Sequence, residues 1–508
     1  MRTIFVLFDT LNRLGIGPYA PNVDTPNFDR FAKRSITFDR HYVASMPCMP
    51  ARRDLQTGRP GFMHRSWGPL EPFDTSLPTL LRARGVHTHL ITDHFHYFEA
   101  GGAGYHTKFN TWEFMRGQEH DQWRAMVEPP FEDFAKVWAP QHYDPRTKPH
   151  HVQHMINMHF VEDEADLPGP ACFKAALDFL DTNAKADNWF LQLELFDPHE
   201  PFTVPERFKQ PGNSEWTGGV LNWPAYERVQ ESPEEIAEIR DNYAALVRMC
   251  DEYFGRLLDA MDEKGMWDDT ALILSTDHGF LLSEHEWWGK GRMPYYEEIT
   301  HIPLMVWHPD HAGQAGTRRQ AVTWTPDLMP TILDLFDTPI PEDVRGRSLL
   351  PLLASDSDME RIVAFAIFGG PIGVTDGRYV MLHQPPDFSA PGLHEYTLAP
   401  QHMREDFALR ELTTATIHPG FGFTKGVPVL KIDALPDAKR VPLHDDQSFQ
   451  DARFALFDLE NDPNQQSPIR DRAVETRLYD GLRSLLGKLE VPESTWRWYG
   501  LEPLQAAP

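Results

Sequence analysis

Four short apolar stretches share one pattern, because each ends at polar residues of metal-binding or acid-base type. They are residues 3–8 before Asp9, residues 87–92 before Asp93 and His94, residues 189–196 before Asp197 and His199, and residues 271–276 before Asp277 and His278. Near-continuous apolar runs of this length are typical of strands buried on both faces of a mainly parallel sheet. The ligand crevice of such a sheet lies beyond the carboxyl ends of its strands. The pattern therefore predicts that these polar residues meet at one edge of the sheet.

Amphipathic stretches between these strands predict helices, as the crossover connections of a parallel sheet require. Proline near the start and glycine after the end mark several of them, since these residues favour helix termini. The predicted helices cover residues 26–34, 77–84, 171–184, 234–264 and 327–336.

The chain changes character after about residue 355, where short strand-like pieces such as IVAFAIF and GRYVMLH are separated by loops. We predict an α/β protein with a large, mixed, mostly parallel sheet sandwiched by helices, and a smaller C-terminal α+β subdomain carrying an antiparallel sheet. The expected boundary divides residues 1–360 from residues 361–508. Residues 97–165 and 384–450 match neither pattern, and loops of that length are usually functional or form an interface.

Composition narrows the class of protein. The 508 residues include 48 basic and 75 acidic side chains, a net charge of -27, which argues against a nucleic-acid or anionic-membrane partner. Three widely spaced cysteines, Cys48, Cys172 and Cys250, favour a reducing compartment over a disulfide framework. The apolar start is too short for a signal segment, and no apolar run reaches membrane-spanning length. We therefore expect a cytoplasmic protein in which an anionic substrate needs a local positive site.

Asp9, Asp277 and His278 form the first candidate for chemistry, since each follows a predicted strand. Two carboxylates and an imidazole suit a divalent cation such as Ca²⁺, Mg²⁺ or Mn²⁺. Asp-His pairs at strand ends are also common as loop caps. A functional interpretation of these three residues therefore needs a further candidate residue at the same edge of the sheet.

Cys48 supplies that residue, in the stretch YVASMPCMPARRDLQTGR. Pro50 suits the first turn of a helix and Gly58 can end it, so Cys48 would face the positive helix N-terminus, as a reactive cysteine does. Arg52, one turn along, would reach back to a charged group there. Cys172 and Cys250 are interpreted as small buried hydrophobic residues.

Lys290 and His199 are weaker candidates on their own. Lys290 lies in the glycine-flanked WWGKGR, which would fold over the same crevice, although a loop lysine is usually a solvated charge. His199 lies in FDPHEPF, where the prolines are also consistent with a simple turn.

These segments resemble the sulfatase family. C-M-P-A-R followed by L-Q-T-G-R is similar to the sulfatase signature, in which the cysteine is oxidised to formylglycine. Similar family segments surround it: TPNFDRFAKRSITFDRHY before the signature, then STDHGFLLSEHEWWGKG, TPDLMPTILDLF, RGRSLLPLL and ALFDLENDP after it. The resemblance covers most of the chain and implies an alkaline-phosphatase-like fold.

The resemblance also implies a role for each candidate residue. Cys48, as formylglycine, would be a hydrated aldehyde that attacks sulfur and binds one divalent metal, Ca²⁺ or Mn²⁺. Asp9, Asp277 and His278 would hold that metal together with Cys48. Arg52 would orient the formylglycine, Lys290 would bind a sulfate oxygen, and His199 would assist the leaving oxygen.

Two departures from the family pattern qualify this assignment. Thr10 stands where many sulfatases carry a second aspartate, and we do not predict it as a ligand. The family's G-K-W-H block is replaced by ITDHFHYF, with Asp93 at the position of the lysine. His94 and His96 are both candidates for the missing histidine. The related phosphonate monoester hydrolases also lack that block and have a single early aspartate.

Three hypotheses follow. The first is hydrolysis of sulfate monoesters, with promiscuity toward phosphonate monoesters and phosphate diesters. The alternative is an enzyme acting primarily on phosphonate monoesters or phosphodiesters, and the third is a non-catalytic binder of sulfated ligands in which Cys48 stays a thiol. The first two imply a small anionic ester as substrate and a formylglycine-generating enzyme during maturation.

Residues 97–165, rich in aromatic residues and histidine, have two possible roles. Trp112, Trp123 and Trp138 would wall a pocket for an aryl or sugar group, or would form an oligomer contact, because aromatic residues are enriched in both settings. The two long unassigned segments together favour a homo-oligomer.

Overall fold

The computed structural model describes residues 1–142, 148–356, 360–435, 448–449 and 451–503. The amino-terminal two thirds of the chain carry most of the strands. They are β1 Arg2–Phe8, β2 Ile36–Tyr42, β3 His87–Thr92, β4 Thr111–Phe114, β5 Trp189–Leu195, β6 Thr270–Thr276, β7 Leu281–Leu282, β8 Trp288–Gly289, β9 His301–Trp307, β10 Arg318–Arg319 and β11 Thr323–Trp324.

Nine of these strands form one large sheet in the order β10-β2-β9-β6-β1-β5-β3-β4, with β11 also paired to β2. Neighbouring strands are parallel except at β9, which is antiparallel to both β2 and β6. In the register of the central strands, Phe8 lies opposite both Leu195 and Thr276. The residues that follow these three positions therefore leave the sheet side by side, at its carboxyl edge.

Helices cover both faces of the large sheet and fill the C-terminal region. They are α1 Pro26–Arg34, α2 Cys48–Thr57, α3 Leu77–Ala83, α4 Phe131–Val137, α5 Pro149–His159, α6 Pro168–Asn183, α7 Pro233–Glu263, α8 Glu297–Thr300, α9 Leu328–Leu335, α10 Leu350–Ala354, α11 Leu409–Leu412, α12 Arg472–Lys488 and α13 Glu493–Trp498. None of the helices in the described part of the chain is both long and apolar enough to cross a membrane.

The two faces of the central strand β1 pack against different helices. Ile4, Val6 and Phe8 share a core with α1, α6 and α7. Phe5 and Leu7 share another with α2, α3, α9 and α10. This alternation is what a strand buried on both faces produces, and it makes the domain a three-layer sandwich.

Helix α7 shows how closely the local sequence sets an element. Its N-cap Ser232 accepts a hydrogen bond from the Glu235 backbone at 3.3 Å, and the Glu235 side chain accepts one from the Ser232 backbone at 2.8 Å. This capping box is followed by Pro233 at the first helical position. Gly265, at φ +60°, stands just past the end, where a left-handed residue is favoured.

The C-terminal region carries two small antiparallel sheets. Its strands are β12 Val363–Ala366, β13 Ile372–Thr375, β14 Tyr379–His383, β15 His394–Thr397, β16 Thr416–His418, β17 Val429–Asp433 and β18 Ala455–Asp458. They pair in the orders β12-β13-β14-β18 and β15-β17-β16. The predicted fold class, a mostly parallel sheet between helices with a smaller antiparallel part, is confirmed.

The two segments left unassigned from sequence contain regular structure. Residues 97–165 hold β4, α4 and α5, and residues 384–450 hold β15, β16, β17 and α11. The expectation of long loops was therefore wrong for parts of both segments. Residues 143–147, 436–447 and 450 lie outside the described residues.

Candidate active site

Three of the predicted metal ligands emerge together from the carboxyl edge of the large sheet. Asp9 follows β1, and Asp277 and His278 follow β6, in the register that places Phe8 opposite Thr276. The Asp277 carboxylate accepts a hydrogen bond from the Thr10 backbone at 3.1 Å, which ties the two strand ends to each other. All three side chains are completely buried.

Cys48 joins this group from the first turn of α2. Its Sγ lies 3.3 Å from His278 Nε2 and 4.0 Å from Asp9 Oδ1. Helix α2 ends at Gly58, which adopts a left-handed conformation at φ +62°. Burial, together with the nearby Asp9 carboxylate, raises the pKa of the Cys48 thiol well above its usual value.

Arg52, one turn further along α2, is the main cation within the cluster. Its guanidinium donates to three buried carboxylates: Glu194 Oε1 at 2.5 Å, Asp277 Oδ2 at 2.5 Å and Asp9 Oδ2 at 2.9 Å. It also donates to the Cys48 carbonyl at 3.1 Å. Burial alone would raise the pKa of Asp9, but Arg52 and then Lys290 outweigh it and hold that pKa well below its usual range.

Lys290 reaches the same cluster from the turn after β8. Its ammonium donates to Thr10 Oγ1 at 2.8 Å and lies 3.8 Å from Asp9 Oδ1. Thr10 Oγ1 donates in turn to Asp9 Oδ1 at 2.7 Å. The glycine-flanked loop therefore folds over the strand ends, as the sequence predicted.

A cavity of about 350 Å³ adjoins this cluster, and Cys48, His199 and Lys290 line it. His199 is buried, and its Nδ1 lies 2.5 Å from the Glu200 carbonyl and 3.3 Å from Glu200 Oε2. The nucleophile candidate, a buried cation and an imidazole thus face the same cavity.

His94 and His96 occupy different positions relative to this cavity. His94 is fully buried with Nδ1 at 3.8 Å from Asp9 Oδ2, and neither ring nitrogen has a hydrogen-bond partner among the residues that the structure describes. His96 lines the cavity, and its Nδ1 lies 2.5 Å from Glu99 Oε2. Asp93 does not line it; its carboxylate accepts from the Phe196 backbone at 2.7 Å and from Gln118 Nε2 at 2.9 Å.

Sequence reasoning missed Glu194 and most of the cavity wall. Glu194 lies within β5, fully buried, and holds both Arg52 and the Tyr97 hydroxyl, the latter at 2.8 Å. A glutamate inside an apolar strand was the available signal. Of the two roles left open for Trp112, Trp123 and Trp138, the structure does not support the pocket wall, because Trp67 and Trp223 line the cavity instead. Their role in an oligomer contact stays a prediction.

Comparison with known proteins identifies this arrangement. The family model described as Sulfatase matches residues 2–338, which is more than half of the chain. The chain belongs to the sulfatase family. The predicted resemblance is confirmed, and so is the class of enzyme, a hydrolase of sulfuric esters.

Curated sulfatases and a related enzyme resemble the chain over most of its length. It is 27% identical over 376 residues to the multifunctional alkaline phosphatase superfamily protein PehA of Trinickia caryophylli, covering 66% of this chain and 72% of that protein. It is 25% identical over 407 residues to the N-acetylglucosamine-6-O-sulfatase of Bacteroides thetaiotaomicron, covering 70% and 71%.

Solved structures share the fold of this sulfatase at low identity. One is a protein in complex with its substrate D-glucosamine-2-N,6-O-disulfate, with a TM-score of 0.63, 16% identity, and coverage of 97% of this chain and 99% of that chain. Another is the phosphonate monoester hydrolase of Agrobacterium radiobacter, with a TM-score of 0.62, 17% identity, and coverage of 96% and 95%.

Sulfatases generally use a metal and a formylglycine, and the strand-end cluster fits a divalent cation. One donor atom each from Asp9, Cys48, Asp277 and His278 lies within 4.8 Å of the others, and all four residues are buried. Burial and the neighbouring Asp9 raise the pKa of Asp277 to about 7. A cation between the two carboxylates would offset that repulsion. Two carboxylates and one imidazole suit a divalent cation such as Ca²⁺ or Mn²⁺.

Proposed function

We propose that this sulfatase hydrolyses sulfate monoesters through a formylglycine derived from Cys48, with Asp9, Asp277, His278 and residue 48 holding one divalent cation, Ca²⁺ or Mn²⁺. The observation that carries the proposal is the position of Cys48, which lies inside the buried donor cluster and also lines the cavity. When bound, the cation would supply positive charge that polarises the ester and favours an oxygen nucleophile.

Arg52 is assigned the task of fixing residue 48 and its carboxylate neighbours. Its guanidinium binds the Cys48 carbonyl as well as Asp9, Asp277 and Glu194. An arginine that makes four such contacts has little freedom to move. It therefore holds the nucleophile at a constant distance from the two aspartates. Catalysis depends on such fixed positions of the reacting groups.

Lys290 and His199 are assigned to the two ends of the ester. The Lys290 ammonium, buried beside Asp9, is placed to bind a sulfate oxygen. His199 is assigned to donate a proton to the departing alcohol oxygen, as charge accumulates there when the sulfur-oxygen bond breaks. Both residues line the cavity with Cys48, so one bound ester can contact all three.

His94 and His96 are assigned separate tasks on the same basis. His94 lies against Asp9 and supports the cluster from behind, since it does not line the cavity. His96 faces the cavity and is the better candidate for contact with the substrate.

Phosphonate monoesters and phosphate diesters are the second candidate substrates. Two observations favour them: the 27% identity to the multifunctional protein PehA and the fold shared with phosphonate monoester hydrolases. The same positive groups would bind the non-bridging oxygens of all three ester types. We place sulfate monoesters first because the family model is that of sulfatases.

Mass spectrometry and kinetics together test the proposal. The protein is produced with a formylglycine-generating enzyme, the peptide spanning Cys48 is analysed without alkylation, and the metal-loaded protein is assayed with 4-nitrophenyl sulfate, a phenylphosphonate monoester and bis(4-nitrophenyl) phosphate. We expect the aldehyde at residue 48 and the highest kcat/KM for the sulfate.

Cys48→Ala is expected to lower kcat by at least about 10³-fold, because it removes the proposed nucleophile. Cys172→Ala, a matched change of a buried cysteine in α6, should retain normal kcat. Substantial turnover by Cys48→Ala would overturn the mechanism. An aldehyde-bearing, metal-loaded protein without turnover of any ester would favour the non-catalytic binder.

A further inference from the structure

Two buried side chains at residues 119 and 120 face the cavity without using their full hydrogen-bonding capacity. Glu119 is 8% exposed and His120 is 6% exposed, and both line the cavity. Glu119 Oε2 and both ring nitrogens of His120 have no hydrogen-bond partner among the described residues. Buried polar groups are normally paired, so unpaired ones beside a substrate cavity indicate groups that a ligand satisfies.

The surroundings of these atoms do not satisfy them. Glu119 Oε1 lies 3.0 Å from His120 Nδ1, without the angle of a hydrogen bond. Glu119 Oε2 is 3.8 Å from His96 Nε2, and His120 Nε2 is 3.9 Å from Glu99 Oε1, both beyond hydrogen-bond distance. Burial would raise the pKa of Glu119, but His120 and His96 outweigh it and lower the pKa. The side chain is therefore a carboxylate, which only accepts hydrogen bonds.

The backbone around this pair is firmly anchored. Gln118 Nε2 donates to Asp93 Oδ2 and to Asp197 Oδ1, both at 2.9 Å, which fastens the segment to the ends of β3 and β5. His154 Nδ1 lies 3.1 Å from the Glu119 carbonyl. Glu119 itself adopts φ +44°, an unfavourable conformation for a residue with a side chain. The pair is thus held in place before any ligand binds.

Aromatic rings form the rest of the wall beside the pair. Trp67, Trp223 and Tyr226 line the cavity, and the His151 ring lies parallel to Trp223 with centroids 4.1 Å apart. Flat apolar faces next to a few fixed polar groups suit a ring that carries its own polar substituents.

We propose that Glu119 and His120 form a subsite for adjacent hydroxyl groups on the leaving group, so that the preferred substrates are sulfate esters of hydroxylated rings. This inference rests on the proposed function. A hydroxyl donates to Glu119 Oε2 while its neighbour exchanges a hydrogen bond with the His120 ring. A plain aryl or alkyl group displaces water from these atoms and leaves them unpaired, which sites of this kind penalise strongly.

Matched substrates test the subsite with the aldehyde-bearing, metal-loaded protein. Glucose 3-sulfate, glucose 6-sulfate and galactose 6-sulfate are compared with cyclohexyl sulfate and cyclohexylmethyl sulfate, which have similar rings without hydroxyls. We expect at least one sugar ester to exceed its carbocyclic match by about 100-fold or more in kcat/KM. Equal kcat/KM values across all pairs would overturn the subsite.

Variants test whether Glu119 and His120 cause the preference for sugar esters. Glu119→Gln and His120→Ala should each reduce the sugar-to-carbocycle ratio of kcat/KM by at least about tenfold, mainly through KM. Glu128→Gln, an exposed change in the same segment, should leave the ratio unchanged. Variants that lower kcat/KM equally for the sugar ester and for the carbocyclic ester would contradict the assignment. Turnover of 4-nitrophenyl sulfate without any sugar preference overturns the subsite alone, whereas no turnover of any sulfate ester overturns the proposed function with it.

Discussion

Arg52 concentrates the electrostatics of the site in one side chain. It is 1% exposed and binds Asp9, Glu194 and Asp277, each of which is fully buried. Three carboxylates enclosed this closely repel one another strongly without a compensating cation. The Arg52 guanidinium carries one positive charge, whereas its three carboxylate partners carry up to three negative charges. The cluster can therefore accept a further cation.

The metal ligands are tested by Asp277→Asn, which keeps the size of the side chain but removes its charge. Loss of an outer partner of a metal ligand typically costs about 10–100-fold in affinity, so we expect at least about 100-fold for a direct donor. Metal content after dialysis, measured by mass spectrometry of the ions, checks this.

Asp251→Asn is the matched control, because Asp251 is a buried carboxylate that accepts from the Asn27 and Phe28 backbones at the start of α1. It should lower thermal stability slightly and retain the metal. Equal metal content in both variants would show that Asp277 is not a ligand.

The sequence located some site residues and could not locate others, for a physical reason. Asp9, Cys48 and Asp277 follow strands or begin a helix, so local pattern alone places them at one edge. Glu194 contacts Arg52 across 142 positions of sequence, and Trp67 and Trp223 meet only in the folded cavity. Such contacts depend on packing between distant segments, which local patterns do not contain.

The connection from β6 to α8 places the Asp277 and His278 side chains. Gly279 donates its backbone N–H to the Ile299 carbonyl at 2.8 Å. A Cβ at this position would lie 1.9 Å from the Glu298 carbonyl oxygen and 2.7 Å from Asn12 Oδ1. The two backbones approach so closely that only glycine fits, and the end of β6 is fixed as a result.

Gly279→Ala is therefore expected to destabilise the protein by about 1–3 kcal/mol, as overpacking does, and to lower activity by displacing His278. Urea denaturation and kcat/KM measure the two effects. Gly313→Ala, where no atom lies within 4 Å of the new Cβ, serves as the control and should change neither. Unchanged stability of Gly279→Ala would contradict the close approach.

At the scale of elements, the buried strands and long helices were predictable and the peripheral ones were not. Predicted residues 234–264 correspond to α7 at Pro233–Glu263, because a capping box and a terminal glycine mark its ends. Strand β4 has three exposed residues of four, and α11 begins with Leu409 at 81% exposure. Elements that bury little apolar surface leave little periodicity in the sequence.

The whole molecule has a core that crosses the predicted domain boundary. Tyr42, Val43 and Met46, near the amino terminus, belong to one apolar cluster with Val363 and many residues of the C-terminal sheet. The Ala366 backbone donates to the Ala44 carbonyl, and Met46 donates to the Ala366 carbonyl, both at 3.0 Å. Composition indicates a change near residue 360, but it cannot reveal a core shared by both sides.

This shared core predicts a single cooperative unfolding transition, since neither part buries its apolar surface alone. Scanning calorimetry of the full chain should give one peak, and a fragment of residues 1–360 should bind hydrophobic dyes strongly. Two well-separated transitions would instead support the division into residues 1–360 and 361–508, which stays a prediction.

The anchoring of residues 118–120 has an evolutionary consequence. The groups assigned to bond breaking extend from strand ends and α2, whereas Glu119 and His120 belong to a separate segment fastened to the sheet mainly by Gln118. Substitutions in that segment can alter which alcohol is accepted without moving Cys48 or its neighbours. Sulfatases descended from one ancestor can therefore diverge in substrate specificity while they retain the same reaction.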